Sequence, residues 1–275
     1  MKKILIAGTR EKDAGKTTIA CGLLSYLKEI GIGACGFKPR AGNSIWYDFE
    51  IIYEAFSERR CYGKDARLLR LHSGVDLQEE IINPVHRLWA EPPSFIDHLQ
   101  LPPFICDRVR TPEGEDVFIV NATLPFAHGA EDLLRRVDKK IYVSQMGEFN
   151  QIISQLYDRA THAAHETISN VSDVIVYESY SDIALPWKGI KDLDLVLVVE
   201  PGHISTYDPE RYLTAVRLVN RREISTRSVV ELLKPIETVR IPPSRSREMI
   251  KVVQDRIDLL LKKTERKLDD CVTLT

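Results

Sequence analysis

Short apolar runs rich in β-branched residues alternate along this chain with longer stretches in which apolar residues recur every three or four positions. The short runs predict buried parallel strands, at Lys3–Ala7, Ile32–Phe37, Asp173–Tyr177, Leu193–Val199 and Thr238–Ile241. The longer stretches predict helices, at Thr18–Ile30, Gln151–Ser169, Pro209–Arg221, Arg227–Leu233 and Ser246–Lys267. Such alternation is typical of a doubly wound, mostly parallel α/β sheet whose ligands bind beyond the carboxyl ends of the strands.

The segment from about Phe104 to Val143 departs from this alternation. Two β-rich runs, Phe104–Val109 and Asp116–Asn121, flank the turn-prone Thr111–Glu115, which contains Pro and Gly and predicts a hairpin. Lys140–Val143 is a candidate third strand. We therefore expect a single domain over residues 1–275, with residues 104–143 as a β-rich insertion on the core sheet.

The first predicted strand leads into a glycine-bearing loop that ends at the first predicted helix. This order points backbone N–H groups and the positive end of the helix at one place, which suits a polyphosphate. Lys16 supplies a positive charge for the β- and γ-phosphates, and the Thr17 hydroxyl can coordinate Mg²⁺. The loop is a variant, because Arg10 stands where the strict pattern has glycine. Its predicted nucleotide-binding residues are Gly8, Thr9, Asp13, Ala14, Gly15, Lys16, Thr17 and Thr18.

Glu178 follows the predicted buried strand Asp173–Tyr177 directly. A carboxylate at the carboxyl end of a buried strand, in a chain that also carries a phosphate-binding loop, is well placed to bind Mg²⁺ or to orient water. Glu178 is therefore the first candidate for the catalytic carboxylate, and Glu200 and Asp107 are the next ones. The alternative, that Glu178 only caps a loop, remains open.

Charge and composition exclude several classes of partner. The net charge is −2, from 38 basic and 40 acidic side chains, so no global field attracts nucleic acid or anionic lipid. No run approaches the roughly 20 apolar residues that a membrane-spanning helix needs. The five cysteines show no paired spacing, which is typical of reduced core thiols. We expect a cytoplasmic protein that binds a small-molecule substrate and neither nucleic acid nor membrane.

Short motifs follow the glycine-bearing loop in a recognisable order. They are Gly8-Thr9 to Thr17, Phe37-Lys38-Pro39, Asp65-Ala66, Asn83-Pro84, Ala90-Glu91-Pro92 and Glu178. In this order the chain resembles the dethiobiotin synthetases, ATP-dependent enzymes of the P-loop class. The resemblance covers roughly the first hundred residues and Gln151–Val199, and it implies a P-loop NTPase fold of the dethiobiotin synthetase type, ATP and Mg²⁺ as cofactors, and a homodimer.

The resemblance also implies roles for individual residues. Thr17, Asp65 and Glu178 would be ligands of Mg²⁺. Lys16 would contact the phosphates, and Lys38 would face the substrate, where the family holds a carbamate that ATP phosphorylates. The implied catalytic residues are Lys16, Lys38 and Glu178.

Two further loops bear on ligand recognition. In the family a proline-bearing loop holds adenine near the place of Val239–Arg245, so Pro242 is a candidate contact of the base. A plain turn between a strand and a helix is the alternative. His203 follows a predicted core strand, and it is either a substrate contact or a solvated loop histidine.

One loop departs from the family. Ser179–Asp182 stands where the family has Gly-Ala-Gly-Gly, so this chain adds side chains where the family lets the backbone approach its ligand. We therefore expect that this chain does not make dethiobiotin.

The leading hypothesis is a Mg²⁺-ATP-dependent enzyme that phosphorylates a small carboxylate or carbamate, as a ligase or cyclising synthetase. A small-molecule kinase is the nearby alternative. A different class is an ATPase switch like the Min and Par partitioning proteins, which act through a protein partner. Those proteins carry a second Lys four residues before the Gly of Gly-Lys-Thr, where this chain has Glu11.

Overall fold

The computed structural model describes residues 1–11, 13–91, 100–124, 130–218, 223–245, 248–257 and 260–261, which form an α/β fold with two mixed β-sheets. In chain order the elements are β1 (Lys2–Gly8), α1 (Lys16–Glu29), β2 (Ala34–Phe37), β3 (Arg40–Ser44), α2 (Phe49–Ser57), α3 (Lys64–His72), α4 (Glu79–Ile82), β4 (Val85–Trp89), β5 (Phe104–Arg110), β6 (Asp116–Asn121), α5 (Ala130–Arg135), β7 (Lys139–Val143), α6 (Met146–Ser169), β8 (Val174–Glu178), β9 (Leu195–Glu200), β10 (His203–Tyr207), α7 (Pro209–Leu218), α8 (Thr226–Val230) and β11 (Glu237–Arg240). Residues 248–257 are also helical.

The chain divides into two compact units. The first consists of Met1–Lys38, Leu68–Asp76 and Ser169–Thr275, and the second of Pro39–Arg67 and Leu77–Ile168. Among the described residues, no helix is both long enough and apolar enough to cross a lipid bilayer.

The sheet of the first unit has the order β11-β10-β9-β1-β8-β2. Strand β1 lies between β8 and β9 and pairs with both in parallel, and β2 pairs in parallel with β8. These four strands are continuous apolar runs, and most of their residues are buried, as the sequence predicted.

The other side of this sheet differs from the prediction. The run Thr238–Ile241 was expected to be a buried parallel strand, but β11 pairs antiparallel with β10 at the sheet edge, and only Val239 in it is buried. Strand β10, which was not predicted, returns antiparallel along β9 after the two-residue loop Pro201-Gly202. Gly202 has φ 83°, a conformation that glycine adopts readily and that closes this tight turn.

Helix α1 packs along the first sheet through an apolar face. Ile19, Leu23, Leu24 and Leu27 are buried in it, as their spacing predicted. The chain leaves the helix at Gly31, whose φ of 81° is typical of a helix C-terminus.

The second unit contains a five-stranded sheet of order β3-β4-β5-β6-β7. The predicted hairpin is present as the antiparallel pair β5 and β6, and β7 adds to β6 in parallel. The expectation that residues 104–143 extend the core sheet is wrong, because β5 pairs with β4 and β4 pairs with β3. The segment therefore completes a separate sheet that begins with residues soon after Lys38.

A buried ion pair joins two strands of the second unit. The Arg87 guanidinium donates to both carboxylate oxygens of Asp107 at 2.7 Å, and the Tyr157 hydroxyl donates to the same carboxylate. Arg87 also lies over the rings of Trp89 and Phe104. Asp107, which the sequence offered as a fallback catalytic carboxylate, is thus satisfied by neighbours within the second sheet and helix α6.

Some predicted features lie outside the described residues. They are Lys12 of the glycine-bearing loop, Pro92 of the Ala-Glu-Pro motif, the end of the helix predicted at Pro209–Arg221, and parts of the one predicted at Ser246–Lys267.

Candidate functional site

The glycine-bearing loop connects β1 to α1 at the carboxyl end of the first sheet. Gly15 is the N-cap of α1 and has φ 91°, so the loop turns sharply before the helix begins. A Cβ on Gly8 would lie 2.9 Å from Lys16 Cδ and 3.0 Å from the Ala14 side chain. Gly8 therefore lets the Lys16 side chain pass over the end of β1, as a phosphate-binding loop requires.

Thr17, Lys38 and Glu178 meet at one carboxylate oxygen. The Thr17 hydroxyl donates to Glu178 Oε1 at 2.7 Å, and Lys38 Nζ donates to the same oxygen at 2.6 Å. Glu178 has no exposed surface, and the Lys38 side chain is 7 % exposed. The buried negative charge is thus compensated by a neighbouring cation, as burial demands.

The topology of the sheet explains this meeting. β8 is the parallel neighbour of both β1 and β2, so the carboxyl ends of the three strands lie side by side. Glu178 ends β8, Lys38 follows β2 directly, and Thr17 lies in the first turn of the helix that follows β1. A hydroxyl and a carboxylate together offer the oxygen ligands that Mg²⁺ prefers, so the donor set fits this ion.

The Lys16 amino group lies between two loops. It donates to the backbone carbonyl of Arg10 at 3.2 Å and to that of Ser181, and the residue is 8 % exposed. Ser181 has φ 49°, in the left-handed region. It keeps this conformation at a position where the resembling family has glycine, and its carbonyl thereby faces Lys16.

The loop after β8 is hydrogen-bonded to Glu223 and to Thr226, the first residue of α8. The Asp182 carbonyl accepts hydrogen bonds from Thr226 N at 2.6 Å and from Thr226 Oγ1 at 2.8 Å. The Tyr180 hydroxyl donates to Glu223 at 2.6 Å. These bonds offset the cost of a side chain in the left-handed conformation at Ser181.

A cleft of about 240 Å³ lies beside the glycine-bearing loop. Its walls include Asp13, Ala14, Gly15 and Thr18 from the loop and helix, Glu200 and His203 from the β9–β10 hairpin, and Pro242, Pro243 and Met249. The structure thus brings the predicted base contact Pro242 to the same cleft as the predicted phosphate-binding residues.

From the sequence, Glu200 is only a fallback candidate for the catalytic carboxylate. Its Oε1 accepts a hydrogen bond from the Thr9 hydroxyl at 3.0 Å. The pKa of Tyr207, raised mainly by burial, is raised further by the Glu200 charge. Like Glu178, Glu200 is a carboxylate at the end of a core strand.

Asp65 lies in the first turn of α3, in the second unit. Its assignment as a third ligand of Mg²⁺ stays a prediction.

Comparison with known proteins gives a partial similarity. No protein-family model matches this chain. Over 85 residues it is 34 % identical to the ATP-dependent dethiobiotin synthetase BioD of Akkermansia muciniphila. The match covers 31 % of this chain and 31 % of that relative's own length.

Proposed function

We propose that this chain is a P-loop enzyme of the dethiobiotin synthetase type that uses Mg²⁺-ATP to phosphorylate a small carboxylate or carbamate. The observation that carries the proposal is the shared hydrogen bonding of Thr17 and Lys38 to Glu178 Oε1. It joins a candidate metal ligand, a candidate substrate contact and the glycine-bearing loop in one place. The partial similarity to an ATP-dependent synthetase supports ATP as the nucleotide and ligase chemistry as the reaction class.

Each residue has a distinct part in this proposal. The backbone from Gly8 to Thr18 and the Lys16 amino group bind the phosphates. Thr17 and Glu178 would hold Mg²⁺, with Asp65 as a further ligand, and the bound ion would supply positive charge against the transferred group. Lys38 orients the oxygen of the second substrate, which forms a bond to the γ-phosphorus as the bond to ADP breaks.

The substrate differs from that of the resembling family. The loop Ser179–Asp182 carries four side chains where the family has three glycines and an alanine, and its Ser179 is fully buried. Tyr180 is tied to Glu223, so this loop does not leave the open space that glycines provide. A carboxylate or carbamate of another shape is therefore the proposed substrate.

An ADP-release assay against a metabolite panel tests the proposal. The panel contains small acids, diamines with bicarbonate, and alcohols, and hydroxylamine is added to convert any acyl phosphate to a hydroxamate. We expect acids, or amines with bicarbonate, to stimulate ADP release. Phosphorylated acids should give a hydroxamate and phosphorylated carbamates an N-hydroxyurea, and Lys16→Ala should abolish both ADP release and trapping. Stimulation by alcohols without hydroxamate would favour the kinase alternative, and a response to a protein partner alone would favour the ATPase switch.

The resemblance also supports a homodimer, which sedimentation of the purified chain tests. A monomer at micromolar concentration, with and without ATP, would contradict it.

A further inference from the structure

Glu200 is a second strand-end carboxylate at the glycine-bearing loop, and nothing in the proposed chemistry uses it. It ends β9, next to β1, where Thr9 N donates to the Val199 carbonyl at 3.3 Å. The Thr9 hydroxyl donates to Glu200 Oε1 at 3.0 Å, and Glu200 is one of the residues that line the cleft. This hydrogen bond links the exposed Glu200 side chain to the loop.

Glu200 lies on the opposite side of β1 from the candidate metal site. β1 stands between β8, which carries Glu178, and β9, which carries Glu200. Two strand spacings separate β8 from β9, or about 10 Å. A metal ion bound by Thr17 and Glu178 would thus lie on the β8 side of β1. Glu200, on the β9 side, would contact a different part of a bound nucleotide.

The order of residues along the cleft indicates which part of the nucleotide lies at Glu200. Glu200 contacts the loop through Thr9, and two residues later the Gly202 carbonyl accepts a hydrogen bond from Ile241 N at 2.8 Å. Ile241 leads directly to Pro242 and Pro243, which with Met249 give the cleft its apolar wall. The wall therefore runs from the phosphate-binding loop through Glu200 to an apolar end.

The chemical groups of a nucleotide follow each other in the same order. Its phosphates are anionic, its ribose carries vicinal hydroxyls, and its base has apolar faces. A carboxylate is an acceptor that can take hydrogen bonds from two neighbouring hydroxyl groups. An acidic side chain near a strand end performs this task for ribose in other nucleotide-binding α/β sheets.

We propose that Glu200 binds the ribose hydroxyls of the nucleotide and makes the site selective for ribonucleotides. This inference rests on the proposed nucleotide-binding function. Its ligand class is a ribonucleoside triphosphate, with the 2′-hydroxyl as the group that is recognised. Glu200 is a specificity-determining residue, and Thr9 is a positioning residue that holds its carboxylate.

Calorimetric titrations of the full chain with ATP, 2′-deoxy-ATP and GTP, in the presence of Mg²⁺, test this assignment. We expect the wild type to bind 2′-deoxy-ATP about tenfold to a hundredfold more weakly than ATP, because a hydrogen bond to a charged acceptor is lost. Glu200→Ala should reduce this ratio to below about threefold. Glu210→Ala, an exposed helix position outside the cleft, should leave the ratio unchanged.

The outcomes separate this inference from the proposed function. If the wild type binds ATP and 2′-deoxy-ATP equally well, the nucleotide site stands and the role of Glu200 is wrong. The role is also wrong if Glu200→Ala keeps the preference for ATP, or if it lowers kcat at saturating ATP and leaves the preference intact. Absence of binding of any nucleotide to the wild type would overturn both proposals.

Discussion

Thr17 and Glu178 are joined by a 2.7 Å hydrogen bond although 161 positions separate them in the chain. The bond exists because β1 and β8 are parallel neighbours, so the helix that follows one strand begins beside the end of the other. In a parallel sheet this is where ligand-binding groups gather.

Glu178→Gln should separate nucleotide binding from turnover. The substitution keeps the shape of a fully buried side chain and removes its charge. We expect ATP affinity to stay within about tenfold of the wild type, and kcat to fall by about 10²-fold or more, because the charge matters most as phosphoryl transfer proceeds. Calorimetry and ADP release measure the two quantities. Glu210→Gln on α7 is the matched control, and equal losses of affinity and kcat in Glu178→Gln would contradict the prediction.

Lys16→Ala should remove most ATP binding. A lost contact between an ammonium group and a phosphate costs about 1.5 to 3 kcal/mol, which is at least tenfold in affinity. Calorimetry with Mg²⁺-ATP measures the change, and Lys188→Ala, at an exposed position after the loop of Ser179–Asp182, is the control. Unchanged affinity in Lys16→Ala would remove the basis for a phosphate-binding loop.

Part of the first sheet and the proximity of Thr17 and Glu178 could be predicted from the sequence, whereas the contact of Lys38 with Glu178 could not. β1, β8 and β9 are continuous apolar runs, and such runs predict buried strands. The rule that ligands bind at strand ends then pointed to Glu178, and the family resemblance pointed to Lys38.

Only part of the second sheet could be predicted from the sequence, because strands that pair with each other can lie far apart in the chain. β3 has the sequence Arg-Ala-Gly-Asn-Ser, which contains no β-branched residue and is held in the sheet by β4. β10 was missed for a different reason. Pro201-Gly202 between two strand-like runs is a hairpin signal, but its place after a core strand equally predicts a ligand-facing loop.

The contact between Lys16 and the Ser181 carbonyl had no signal in the sequence. A backbone carbonyl carries no residue signature, and its direction depends on the left-handed φ of 49° at Ser181. The hydrogen bonds from Thr226 to the Asp182 carbonyl come from a segment 44 residues away. The site therefore depends on tertiary contacts that spacing alone does not encode.

The chain should not convert the diamine precursor and CO₂ to dethiobiotin. In the loop Ser179–Asp182 the Tyr180 hydroxyl is hydrogen-bonded to Glu223 and the Asp182 carbonyl to Thr226, so we expect the loop to lack the space that the family's glycines leave. Mass spectrometry of a reaction with ATP, Mg²⁺ and bicarbonate tests this, with a dethiobiotin synthetase as the positive control. Dethiobiotin formed well above the level of a control without enzyme would show that the altered loop is a tolerated variation.

Asp65→Asn should weaken the response to Mg²⁺ without abolishing nucleotide binding. If Asp65 is a ligand of the ion, its loss raises the Mg²⁺ concentration for half-maximal ADP release by about tenfold or more. Asp76→Asn, a change at an exposed carboxylate paired with Arg70, is the control. Identical Mg²⁺ dependence in Asp65→Asn and the wild type would exclude Asp65 from the metal site.

A buried cluster in the second unit should make stability fall in acid. Arg60 donates to both carboxylate oxygens of Glu80, at 2.9 and 2.6 Å. Burial acts to raise the pKa of Glu80, but the Arg60 hydrogen bonds and the positive charges of Arg108 and Arg60 outweigh it, so the pKa lies below its usual value of 4.5. A lowered pKa means that the unfolded state binds the proton first, and stability from Glu80 is present above about pH 4.5 and is lost as pH falls through the folded pKa.

The variant Glu80→Gln isolates this contribution. It should lower the urea midpoint at pH 7 by an amount equivalent to about 1.5 to 3 kcal/mol, because charge-assisted hydrogen bonds to Arg60 are lost. This loss of stability relative to the wild type should shrink as pH falls below 4.5.

Asp116→Asn provides a control of opposite sign in the same unit. Burial raises the pKa of Asp116, so its contribution to the free energy of unfolding is present at low pH and is lost as pH rises. The stability of Asp116→Asn relative to the wild type should therefore increase toward pH 7. A deficit of Glu80→Gln that stays constant from pH 7 to pH 3 would show that the Arg60 pairing does not govern the acid response.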